Sequence, residues 1–135
     1  MIFIYGVKKG GMSVDESILL TIKEMLGPSG DYEAFDAEII MHINTAIMAL
    51  TQMGVGPEEG FMIHDDSAIW SDFISESNEL KLLQGVKSYI YFNVKLVFDP
   101  PASSSAVEAI NRQLAQVEWR IFHEVDCLQR GDTNE

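Results

Sequence analysis

The sequence predicts an all-α fold: a small helical bundle of about four main helices plus a short one, with an irregular loop near residues 54–66. Three observations point there. Residues 13–26 and 36–50 each carry an apolar stripe at helical period behind a capping signal. Residues 107–121 repeat apolar side chains at steps of three and four. Residues 79–83, which lead into the most apolar stretch of the chain, are rich in strong helix formers.

In the first predicted helix, Ile18, Leu19, Ile22, Met25 and Leu26 make the stripe. Ser13 and Glu16 stand at capping-box spacing, Asp15 and Glu16 fall where the helix dipole favours anions, and Gly27-Pro28 ends it. In the second, Asp36 is the expected N-cap, with Phe35 and Ile40 at hydrophobic-staple positions. Ile39, Ile40, Ile43, Ala46, Ile47 and Leu50 follow the period until Gly54. "GVGPEEG" (54–60) is a turn-rich connection, and Phe61-Met62-Ile63 reads as a short extended piece. Asp65 or Asp66 is placed to cap a short helix whose apolar face is Ile69, Trp70, Phe73 and Ile74.

Residues 86–98 read two ways. With period two, Val86, Ile90, Phe92, Val94, Leu96 and Phe98 share a side, and β-branched and aromatic residues are dense. With period 3.6, Leu82, Leu83, Val86, Tyr89, Ile90, Val94 and Val97 share a face. Length favours the helix, because strands usually run about 5 or 6 residues. Gly85 weighs against it by about 1 kcal/mol. Asp99-Pro100-Pro101 breaks whatever precedes it. Ser103–Ser105 then offer caps, and Ser105 with Glu108 has capping-box spacing. In the last helix Val107, Ile110, Leu114, Val117 and Ile121 form a heptad-like seam that in one domain faces its own core. Ile43 and Ile110 are both expected core positions.

Length and composition fit one domain: an N-terminal extension at 1–12, a helical domain at 13–122 and a polar C-terminal tail at 123–135. The tail is expected to serve docking and to be dispensable for folding. "MIFIYGVKKGG" precedes Met12, and its Lys-Lys-Gly-Gly reads like a translated ribosome-binding site, so Met12 is a candidate start. The charge of −12, from 21 acids and 9 bases, argues against a basic face that wraps nucleic acid. Cys127 stands alone, which excludes an intramolecular disulfide and fits a reducing compartment. No apolar run approaches the roughly 20 residues needed to cross a bilayer, and no targeting signal is evident.

The chemistry-bearing motifs are sparse. His64-Asp65-Asp66 with His42 invites a metal-dependent hydrolase reading, but a metal needs four or more donors. His123 and Cys127 share a helix face, and two ligands do not close a site. There is no phosphate-binding loop and no glycine elbow around Ser103–Ser105. No catalytic, cofactor-binding or metal residue is assigned, no cofactor is expected, and the chain is read as non-enzymatic.

The order of segments adds a resemblance. "GDYEAFDAEIIMHINTAIMALTQMGVG" (30–56), a loop with a short Trp-bearing helix, "VKSYIYFNVKLVFDPP" (86–101) and "SSSAVEAINRQLAQVEWR" (103–120) together resemble the bacteriophage head–tail connector proteins, also called adaptor or head-completion proteins. The similarity runs from about residue 13 to residue 122, and its signatures are structural. It implies a helix over 86–98. It also implies a virion protein, assembled in the host cytoplasm, that sits as a ring between the portal vertex of the head and the tail. The implied partners are the portal protein, the next connector, stopper or tail-completion protein, and other copies in a ring of about twelve with heterologous contacts. Packaged DNA would pass through without specific binding. The interface residues expected for this role are Glu58, Glu59, Phe61, His64 and Asp65 in the loop, and His123, Asp126 and Leu128 near the C-terminus. The alternative is a small helical regulatory or protein-binding module dimerising through the seam Val107 to Ile121.

Overall fold

The structure, a computed structural model, describes residues 14–75 and 77–131. The N-terminal extension, Ser13 and the candidate start at Met12 lie outside the described residues. Five helices follow one another: α1 (Ile18–Leu26), α2 (Asp36–Gln52), α3 (Trp70–Phe73), α4 (Leu83–Phe98) and α5 (Ser104–Arg130). Short 3-10 turns at Gly27–Gly30, Glu33–Phe35 and Ser77–Leu82 join them. There is no strand among the described residues, only one isolated antiparallel bridge between Ser17 and Ile69.

The ambiguous segment is α4, and it is the centre of the bundle. It packs most extensively against α2 and α5 and also touches α1. Between Leu83 and Phe98 only Gln84 and Val97 are exposed. A helix covered by three others needs apolar side chains around most of its circumference, which erases the clean 3.6 period of a surface helix. That is why its sequence imitates a buried strand. Gly85 is where α5 crosses closely. A Cβ there would lie 3.5 Å from Ile121 Cγ1 and 4.0 Å from Val117 Cγ1.

The core stripes are largely as the periods require. Ile18, Leu19, Ile22 and Leu26 are buried, while Met25 is exposed. Ile39, Ile43, Ala46, Ile47 and Leu50 are buried from α2. Trp70, Phe73 and Ile74 join the buried core, and Trp70 Nε1 donates to Thr21 Oγ1 of α1 at 3.1 Å. The α5 seam is covered by α4 most fully at its C-terminal end. Ile121 is buried and Leu114 and Val117 are half-buried against the core, but Ile110 is only half-buried and lies outside it. Of the dimer seam of the alternative reading, Leu114, Val117 and Ile121 are therefore occupied within the chain, while Val107 and Ile110 do not join that core.

Helix starts differ from the sequence expectation in four places. α1 begins at Ile18, and Ser17 caps it by accepting from Leu20 N–H at 3.1 Å. Asp15 and Glu16 precede the helix, because the chain pairs there with 68–71: Ile18 N–H donates to Ala68, Trp70 N–H to Glu16 and Ser71 N–H to Val14. Asp36 does not cap α2. The Glu33–Phe35 turn runs straight into the helix, and the Asp36 carboxylate meets Lys23 at 2.7 Å instead. Phe35 makes edge contacts with Phe98 and Tyr32. α3 is held by Asp72 accepting from Ile69 N–H at 2.9 Å, not by Asp65 or Asp66. Ser103, not Ser105, caps α5 by accepting from Ala106 N–H at 3.1 Å.

Residues 123–131 of the expected tail are part of the helical domain. α5 runs unbroken to Arg130 and closes on Gly131 at φ 74°. Val125 is buried and Leu128 packs on the core, so deleting 123–135 would open the domain rather than spare it.

Candidate functional site

An open groove of about 1210 Å³ lies between the outer face of α2 and the loop 59–66. Ile40, Met41, Asn44 and Met48 form one wall, and Phe61, Met62 and His64 the other. Met41, Met48 and Met62 are each more than half exposed. Flexible thioethers on an open surface suit a protein partner more than a small ligand. Glu59, Asp65 and Asp66 stand at the rim, all exposed.

Three devices shape the loop. Gly54 and Gly56 take φ of 100° and 82°, a backbone region that favours glycine. At Gly56 a Cβ would sit 2.5 Å from the Phe73 ring, so only glycine fits. Phe61 stacks on Phe73 with centroids 5.2 Å apart. Asn44 then pins the far side: its amide donates to Ile63 C=O at 3.0 Å and accepts from Ile63 N–H at 2.8 Å. Ile63 is fully buried, and the piece expected to be extended is held by this one side chain instead of a strand partner. Asp65 Oδ1 accepts from Ser67 N–H and Ser67 Oγ at 2.9 and 2.6 Å. Those bonds hold its carboxyl below the usual range, so the rim stays anionic.

The expected interface residues fall into two groups. Glu59, Phe61, His64 and Asp65 line the groove together, while Glu58 lies beside it on the loop. His123 and Asp126 are exposed on α5; Leu128 is half-buried against the core. The loop meets the end of α5 at its base, where Gly54 faces Val125 and Gln129. Sequence reasoning missed two features. One is Asn44, detectable as a poor helix former in the middle of a strong helix. The other is Trp119 with Phe122, 64% and 58% exposed on the side of α5 opposite the seam. Trp119 stacks flat on His123, at 5.1 Å and 4°.

No group of three or more metal-ligating side chains comes together among the described residues. His42 lies within 3.6 Å of Glu38, and His123 Nε2 is 3.9 Å from Cys127 Sγ. Among the described residues the one buried charged side chain is Lys87, over the Trp70 ring at 5.5 Å and 4.0 Å from Glu16. Burial pushes its ammonium pKa down, and Glu16 partly opposes that. No helix among the described residues is long and apolar enough to cross a membrane.

The described residues form an all-α domain with an open groove on one flank and exposed aromatic side chains on α5. Residues 18–127 match the family described as phage connector protein, and the chain belongs to that family. Membership gives it a structural connector role in a bacteriophage, among other head and tail proteins of the virion. Comparison with curated proteins and with solved structures found no match.

Proposed function

We propose that this chain is a non-enzymatic virion protein that forms a homo-oligomeric ring between the portal vertex of the head and the tail. The observation that carries the reading is the family match, which reaches into all five helices. The surfaces support it: a ring subunit needs lateral and axial contacts but no active site. Loop residues Glu58, Glu59, Phe61, His64 and Asp65, and His123 and Asp126 on α5, supply contacts to portal, neighbour or tail-side protein. The charge of −12 suits a passage through which packaged DNA moves without sticking.

The test is mass photometry and negative-stain microscopy of the protein with and without its cognate portal ring. A collar of added density on the portal is the expected result. A discrete dimer that ignores the portal would overturn the reading in favour of a regulatory module.

A further inference from the structure

We propose that α5 of one copy docks, by its Trp119–Phe122 face, in the α2–loop groove of the next copy. This deepens the ring reading and rests on its self-association, not on its attachment to the portal. The two surfaces belong to one chain and lie on different flanks of it. α2 and α5 both pack on α4 and have no extensive contact with each other. Helical geometry turns the groove face of α2 (Ile40, Asn44, Met48) away from the Ile39–Ile43–Leu50 core stripe, and turns Trp119 away from the Val117–Ile121 stripe. A patch and a cavity on different flanks of one subunit make a head-to-tail contact, which propagates into rings or filaments.

Size and charge agree. From Arg112 to Asp126 the outer face of α5 spans about 21 Å at a rise of about 1.5 Å per residue, and the groove wall from Ala37 to Thr51 spans the same length. Arg112, Ala115, Trp119, Phe122 and Asp126, all exposed, recur at steps of three and four, the pattern of a helix laid in a groove. Trp and Arg are the side chains that anchor interfaces, and exposed methionines are the surface that moulds to an inserted ring. Arg112 is exposed and makes no ion pair among the described residues. The groove rim offers Glu59, Asp65 and Asp66 to it. On the same face Asp126 is paired with Arg130 at 3.4 Å, so it presents less bare negative charge to that rim.

Disulfide trapping in the full chain tests the contact. In a Cys127→Ser background, Phe122→Cys and Met48→Cys are introduced together and each alone. The double variant, mildly oxidised with and without portal rings, should give a ladder of dimer, trimer and higher species on a non-reducing gel. The single variants should stop at dimer. Both sites are exposed, so the fold should survive, and circular dichroism checks it. If the double variant forms no more than the two single variants do, in both conditions, the inference is wrong and the groove takes another occupant. Portal binding is read on the same samples. A ladder without portal binding would remove the connector reading and leave the contact standing; portal binding without a ladder would do the reverse. As a second measurement, Trp119→Ala should weaken self-association about tenfold or more. Arg112→Glu should weaken it too and be rescued by Asp66→Arg. Failure of that rescue, with Trp119→Ala associating as well as the parent, would also overturn the contact.

Discussion

Replacing Asn44 by alanine isolates what holds the groove open. The side chain makes two hydrogen bonds to one buried residue, donating to Ile63 C=O at 3.0 Å and accepting from Ile63 N–H at 2.8 Å. A typical bond contributes about 1 kcal/mol, and a buried group left without a partner costs about 1–3 kcal/mol. Alanine returns roughly 0.5 kcal/mol through better helix propensity. The net expectation is a loss of about 2–3 kcal/mol, a large share of a domain stability of about 5–15 kcal/mol. With a urea slope of about 2 kcal/mol/M, the unfolding midpoint falls by about 1–1.5 M. Hydrogen exchange adds a local reading: the Ile63 amide should lose more protection than the amides of α2. Asn44→Asp keeps the acceptor for Ile63 N–H but sets a carboxylate oxygen against Ile63 C=O, so it should not restore stability. A midpoint for Asn44→Ala within about 0.3 M of the parent would refute the reasoning. It would mean that water replaces the amide and that the Phe61–Phe73 stack alone shapes the loop.

Three further outcomes follow from particular environments. Gly85→Ala should stabilise the domain by about 0.5–1 kcal/mol, since the added methyl meets Ile121 and Val117 at ordinary contact distance inside a helix; a lower urea midpoint would show that α5 cannot accommodate it. Ile43→Asp should unfold the protein, because Ile43 is fully buried, whereas Ile110→Asp should cost about 1 kcal/mol or less at its half-buried position; equal losses by circular dichroism melting would contradict the core boundary drawn here. The Lys87 ammonium is depressed in the folded state, so between its folded pKa and the ordinary 10.5 the unfolded chain binds more protons and stability rises with pH. Urea midpoints taken from pH 7 to 10 should climb relative to Lys87→Met; parallel profiles would show that burial does not hold the group's proton down.

The helices that lie on the surface of the bundle were legible because each shows solvent one face. Ile18, Leu19, Ile22 and Leu26, and Ile39, Ile43, Ile47 and Leu50, could be assigned to the core from spacing alone. The exact caps were not legible. Ser13, Ser17, Ser103 and Ser105 all have the right chemistry, and the choice depends on where 14–18 pairs with 68–71 and where α5 leaves the prolines. The groove was half legible. Gly54, Gly56 and the acids marked a loop, and Asn44 stood out as a poor helix former within α2, but its partner Ile63 lies nineteen residues away and no local pattern names it.

Sequence by itself determined that the chain is largely helical and acidic, because period, caps and composition are local properties. Tertiary structure alone decided what the chain does with Val86–Phe98, Lys87 and Trp119. Val86–Phe98 is the hub because three helices cover it. Lys87 is buried because Trp70 and Glu16 come from distant parts of the chain to receive it. Trp119 is exposed because α4 takes the opposite face of its helix. In each case the side chain is fixed by which neighbour arrives from far along the chain, and no local pattern carries that information.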